Sequence, residues 1–328
     1  MDENAEEYVS CKYLQGGLNF QNKFISTCNF ITKGLVFYDL TKINGKANIS
    51  FNKIEEMRKE YIEKKAIPKN CEGCFALEKK VWNVNGKINK IELDHWRNCN
   101  CGCIYCSNRG HDQVKFLTSK VEKSQFYDVL PILKKMKKKN LFDDDIVIST
   151  TGGEPASLEE YPQILELFLD RKFKEISILS SGIKYLPIIE KALSQPNCYL
   201  TVSLDCGTKE TYKRIKMTDA FDKCVNNLKN YAKHSYAKNS VILKYIVLPN
   251  INDNKEEIDK FFDVVKEIGS DSVSFSLEFC HGLRTKQGEK IPQKIYDSFD
   301  YAQKKADEYQ MNFIVLDIVK DILQKGHY

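Results

Sequence analysis

Four cysteines fall within eight positions of "HWRNCNCGCIYCSN" (95–108): Cys99, Cys101, Cys103 and Cys106. An ordinary core has no use for thiols at that density, whereas iron–sulfur clusters are held by thiolates grouped on short loops. Cys99, Cys103 and Cys106 are spaced C-x3-C-x2-C. Three such thiolates can ligate three irons of a [4Fe–4S] cube, which leaves the fourth iron open to a substrate or cofactor. Cys101 is then surplus. A zinc site built from Cys71-x2-Cys74 and Cys103-x2-Cys106 is the alternative, although the chain between the pairs is longer than zinc-ribbon spacing. Cys11, Cys28, Cys71 and Cys74 form a second group upstream, and only Cys198, Cys206, Cys224 and Cys280 come later.

These residues need elements to position them. The chain has 328 residues, 42% hydrophobic and 29% charged, the balance of a globular protein with room for a large α/β domain. No apolar run is long enough for a membrane span, and the acidic start "MDENAEEYVS" lacks the pattern of a secretory signal. The reading is therefore cytoplasmic, where thiols stay reduced and twelve cysteines point to metal rather than disulfides. The run "KKMKKKN" (134–140) reads as the wet face and C-terminal end of a helix, so no nucleic-acid partner is expected. From about residue 88, short β-like runs alternate with helical segments, six strands in all, ending in "DSVSFSLEFC". That alternation predicts a parallel sheet with right-handed crossovers, whose chemistry gathers at the C-terminal ends of the strands. Residues 1–87 read as loop-rich, with 52–66 as their best helix.

With Tyr105 before its last cysteine, the cluster loop resembles that of the radical SAM superfamily. The resemblance covers about residues 88–280 in order. It implies a partial (β/α)6 TIM-like barrel at 88–283, between a loop-rich metal-binding extension at 1–87 and a helix/strand extension at 284–328. In "TTGGEPAS", Gly152, Gly153, Glu154 and Pro155 match the turn that holds the methionine amino group of S-adenosylmethionine (SAM). Glycine permits close backbone approach there, and an ammonium wants carbonyls and a carboxylate. "ILSSG" and "SLDCGTKETYKRIK" are similar to the ribose- and carboxylate-contacting segments. They offer Ser180 or Ser181, then Ser203 and Asp205, with Arg214 or Lys216 for the methionine carboxylate. The resemblance implies that a cluster on Cys99, Cys103 and Cys106 reductively cleaves SAM. The 5′-deoxyadenosyl radical so formed takes a substrate hydrogen atom. The electron would come from a donor such as flavodoxin or ferredoxin.

The upstream group looks like that of radical SAM proteins with cysteines N-terminal to the barrel. Four thiolates suffice for a fully ligated second [4Fe–4S] cluster, with structural zinc as the alternative. For catalysis, "SLEFCHG" places Glu278, Cys280 and His281 at the barrel mouth. Cys280 or Cys206 could return a hydrogen atom, and Glu278 or His281 could accept a proton. His95 either touches a cluster's surroundings or caps its strand. The expected reaction is oxidation or epimerisation of a small or carbohydrate-like substrate. Peptide modification is the alternative, and a non-catalytic zinc or iron–sulfur protein the rival from another class.

Overall fold

The computed structural model describes residues 6–28, 34–41, 47–82, 86–106, 127–278 and 290–325. They pack as two units, one of Met1–Asn98 with Lys123–Ser177, the other of Cys99–Glu122 with Ile178–Tyr328.

In the first unit the order is β1 (Tyr8–Ser10), α1 (Lys12–Gly16), β2 (Gly17–Gln21), β3 (Phe24–Ser26), β4 (Val36–Asp39), α2 (Phe51–Lys64) and β5 (Glu78–Lys80). Then come β6 (Ile88–Asp94), α3 (Leu130–Lys138), β7 (Phe142–Thr150) and α4 (Tyr161–Leu169). β6 pairs in parallel with both β7 and β2, and β3 and β4 extend the sheet antiparallel from β2. Residues 17–39, within the part read as loop-rich, thus contribute three strands. Leu18, Asn19 and Phe20 are all buried, although Leu18 to Gln21 alternates apolar and polar residues as a half-buried strand does. β1 and β5 form a separate antiparallel pair.

β8 (Glu175–Ser180) begins in the first unit and ends in the second. The second unit continues with α5 (Pro187–Leu193), β9 (Cys198–Ser203), α6 (Lys209–Lys216), α7 (Phe221–His234), β10 (Val241–Val247), α8 (Lys255–Ile268) and β11 (Ser272–Leu277). α9 (Gln293–Glu308), β12 (Asn312–Val315) and α10 (Asp317–Lys325) complete it. β9, β10, β11 and β12 are parallel neighbours in sequence order, the βαβ arrangement expected of a partial barrel. Phe275 on β11 stacks on Tyr245, Phe262 and Phe313, which makes the core aromatic. α8 shows why the helices sit where they do. The Asn254 side chain caps its first turn, Gly269 ends it at φ +84°, and Ile258, Phe261, Phe262, Val265 and Ile268 make one buried stripe. Among the described residues no helix is long and apolar enough to cross a membrane.

Candidate active site

In the second unit the cysteine loop is held by α6, a helix the sequence reading passed over. Its first turn is capped by Thr208, and the buried Glu257 carboxylate accepts from the backbone amides of Gly207 (2.8 Å) and Thr208 (3.0 Å). At the other end Met217 turns left-handed at φ 54° and stops the helix. The last carbonyls of a helix have no partner within it. Here those of Ile215 and Lys216 accept from Ile104 N (3.0 Å) and Gly102 N (2.8 Å), so α6 is stitched to the backbone between Cys101 and Tyr105.

Side chains add a second anchor. Tyr105 donates to Asp205 Oδ2 (2.5 Å), and Lys216 Nζ donates to Tyr105 OH (2.7 Å) while pairing with the same Asp205 oxygen. Asp205, fully buried just past β9, also accepts from Ile246 N at 2.8 Å. Burial alone would lower the Lys216 pKa, but Asp205 and then Cys103 reverse this and leave it raised. Lys216 is therefore committed to Asp205 and Tyr105, and Arg214 lies exposed on the same helix.

Cys99, Cys103 and Cys106 are partly exposed, whereas Cys101 is buried. Cys101 is the hydrogen-bonding neighbour of both Cys99 and Cys103, and its own pKa is raised by those two contacts and by burial. Its contact to Cys103, followed by the charge of Lys216, lowers Cys103 to about 6. Three accessible thiols on a backbone-anchored loop, one ionising readily, suit cluster ligation. The fourth thiol supports its neighbours, a role the spacing could not reveal.

Ser181 Oγ donates to Asn100 Oδ1 (2.9 Å), which brings the end of β8 onto the cysteine loop. Ser180 Oγ accepts from Gly182 N at 3.1 Å and Ser203 is half-buried at the end of β9. Cys206 is fully enclosed, donating to Leu204 O (3.3 Å), and burial holds its thiol well above the usual pKa. It packs rather than faces a substrate. Glu278 is buried just after β11, while Cys280 and His281 lie outside the described residues.

The glycine turn belongs to the first unit. Gly153 N donates to Trp96 O (3.2 Å), Glu154 N to Asn98 O (2.7 Å) and Ser157 Oγ to Asn98 O (2.7 Å). This laces the turn to the three residues that precede Cys99 in the chain. Gly152 sits at φ +98°, and a Cβ on Gly153 would lie 2.4 Å from Asn98 O, so neither position admits a side chain. Glu154 is 1% exposed, with Oε1 accepting from Ala156 N, and Pro155 is buried behind it. Arg97, unremarked in the sequence, organises the end of β6. It donates to Asp94 Oδ1 (2.5 Å), Trp96 O (3.0 Å) and Asn22 Oδ1 (2.9 Å).

His95 is wholly buried against Trp96 and Tyr127, with neither ring nitrogen hydrogen-bonded. Burial, then Arg97, lowers its pKa to about 3, against a weaker opposing pull from Asp128. The folded state thus prefers neutral His95 while the unfolded chain takes up a proton near pH 6.5. The resulting stability is complete above that pH and is lost as pH falls toward about 3. Between pH 7 and 5 this one group is expected to cost about 2 kcal/mol. Urea titrations at both pH values check it. His95→Phe should flatten the slope by that amount without loss of stability at pH 7, since no hydrogen bond is broken. An unchanged slope in the variant would assign the pH dependence elsewhere.

The upstream cysteines Cys11, Cys28, Cys71 and Cys74 all line one hollow in the first unit. Burial, followed by the charges of the other three, pushes Cys71 up to about 12.

Residues 93–265 match the family model described as the Radical SAM superfamily. A protein of Saccharolobus islandicus named as a probable GTP 3′,8-cyclase is 26% identical over 184 residues, covering 56% of this chain and 54% of its own length. A Methanocaldococcus jannaschii protein with the same name is 27% identical over 143 residues, 44% of this chain and 45% of its own. The chain thus spans about half the length of the curated relatives it matches. Among solved structures, Streptococcus suis SuiB bound to its precursor peptide SuiA superposes with a TM-score of 0.53 at 12% identity. That match covers 88% of this chain and 59% of SuiB, a likeness of fold.

Proposed function

The chain belongs to the radical SAM superfamily, and from that premise we propose that it oxidises or epimerises a small nucleoside- or carbohydrate-like molecule by hydrogen-atom abstraction. Cys99, Cys103 and Cys106 would hold the [4Fe–4S] cluster, and the turn Gly152–Pro155 the methionine end of SAM. A cluster held there would supply one-electron reduction of SAM, the electron coming from a donor of flavodoxin or ferredoxin type.

The protein's own part is aim. The observation that carries the reading is the double anchoring of the cysteine loop, by the carbonyl end of α6 and by the Lys216–Asp205–Tyr105 network. It fixes the backbone and the Tyr105 side chain of the loop that carries Cys99, Cys103 and Cys106, which restricts where a cofactor held there can sit. The buried Lys216 ammonium beside Cys103 offsets the negative charge that ligating thiolates bring. Glu154 offers a buried carboxylate to an ammonium, and Gly152 and Gly153 let its turn pack closely on Trp96 and Asn98. The likeness to relatives named for a reaction of GTP supports a nucleoside-like substrate over others.

The test is anaerobic reconstitution with iron and sulfide, then incubation with dithionite, SAM and deuterated GTP, nucleotide sugar or peptide. Deoxyadenosine should form, and carry deuterium from the nucleotide or the sugar. No deoxyadenosine under any condition would end the radical reading. Deuterium arriving from the peptide alone would overturn the substrate class.

A further inference from the structure

We propose that Cys11, Cys28, Cys71 and Cys74 bind one iron–sulfur cluster whose ligands are all protein thiolates. The assignment stands on these cysteines and not on the radical chemistry proposed above.

The four are far apart in sequence and are brought together by separate devices. Antiparallel pairing of β1 with β5 sets Ser10 opposite Glu78, so that Cys11, one residue beyond β1, comes beside the turn carrying Cys74. Cys11 then starts α1, and its sulfur accepts from Leu14 N at 3.4 Å. Amide donation to sulfur is a feature that favours thiolate and tunes clusters. Cys28 follows β3, where Thr27 N donates to Leu35 O (3.0 Å) and Asn70 Nδ2 to Gly34 O (2.7 Å). The second of these ties the Cys28 side of the hollow to the residue before Cys71. Cys71 and Cys74 share a tight turn, with Cys74 N donating to Cys71 O (3.0 Å) and Leu77 N to Cys74 O (3.1 Å). Gly73 between them sits at φ +73°, a conformation that favours glycine.

Thiols buried only as small apolar groups pack against their neighbours and leave no space. These four instead line one shared hollow from three separate segments, together with Tyr13, Leu14, Thr27, Gly34, Ala76 and Leu77. Three of the four are buried, and Tyr61 packs against them while hydrogen-bonding Ser10 at 2.7 Å. Such an apolar shell limits solvent access to a redox centre.

Zinc is the competing occupant. Structural zinc sites draw ligand pairs from short knuckles. Here only Cys71-x2-Cys74 is such a pair, while Cys11 follows β1 and Cys28 follows β3, a dispersed ligand set that favours the cluster.

The experiment uses the full chain carrying Cys99→Ala, Cys103→Ala and Cys106→Ala, reconstituted anaerobically with ferrous iron and sulfide, zinc being offered in parallel. About four irons and four sulfides per chain are expected, the content of a [4Fe–4S] cube. Adding Cys28→Ser and Cys71→Ser should bring both to background. One zinc and no iron, or iron unmoved by the added substitutions, would overturn the assignment. Because the buried pair risks the fold, Cys74→Ser at the least buried ligand is the second variant. It should keep the circular dichroism of its parent and shift the EPR spectrum of the reduced cluster, and an unshifted spectrum would also overturn the assignment. Deoxyadenosine is not read, so the radical reading and this one fail separately.

Discussion

Cys103→Ala abolishes 5′-deoxyadenosine formation, whereas Cys101→Ala, two residues away, retains it at a reduced rate. The cube's open iron exists only if three thiolates hold the other three, so loss of one ligand removes the cofactor's binding point. Cys103 has a lowered pKa, with its contact to Cys101 and then the charge of Lys216 among the causes. Cys101 is buried and serves as hydrogen-bonding neighbour to Cys99 and Cys103. Its removal leaves all three proposed ligands in place. Anaerobic assays with dithionite and chromatographic detection of deoxyadenosine separate the two variants, with iron content read beside them. Abolition by Cys101→Ala with activity surviving Cys103→Ala would mean that the loop ligates through C-x-C rather than C-x3-C-x2-C.

Lys216→Met lowers stability by about 3–5 kcal/mol, the usual cost of removing one member of a buried ion pair. The Lys216 side chain is 4% exposed and that of Asp205 0%, so no water replaces the lost ammonium. Asp205 would retain Tyr105 OH and Ile246 N as donors. Lys244, a cation whose charge Asp205 also meets, is half-buried and has its pKa lowered by desolvation, so it substitutes poorly. Tyr105 loses one of its two partners as well, and with it part of the loop's anchor. Reversible urea unfolding measures the loss. Asp205→Asn added to Lys216→Met should recover most of it, because the unpaired charge is then gone. A single variant within about 1 kcal/mol of wild type would show that Asp205 is compensated from elsewhere, and the network would lose its anchoring role.

The parts of this protein readable from sequence are those governed by local rules. Parallel strands and their covering helices announce themselves by period and by caps such as Asn254 and Gly269, since secondary structure follows from near neighbours. The family's cysteine loop was equally legible, because its motif is defined by short spacing along the chain. The turn at Gly152 and Gly153 was legible for a related reason: only glycine fits where the backbone of Trp96 and Asn98 crosses within reach of a Cβ.

What depends on long-range placement was not. β2 to β4 add three strands within residues read as loop-rich, and β2 is placed by its parallel pairing with β6, a partner about 70 residues away. α6 was passed over in the sequence, and its task is set by which backbone amides its last carbonyls meet. Lys216 stood in the sequence as a free cation awaiting a carboxylate. Tertiary structure supplies Asp205 and Tyr105 as its hydrogen-bond partners, 11 and 111 residues away. Composition and spacing thus determined which chemistry the chain can support, since ligand type and loop length are local properties. Which side chains hold that chemistry in place was decided only by the fold, since charge pairing and burial act through space, without regard to order along the chain.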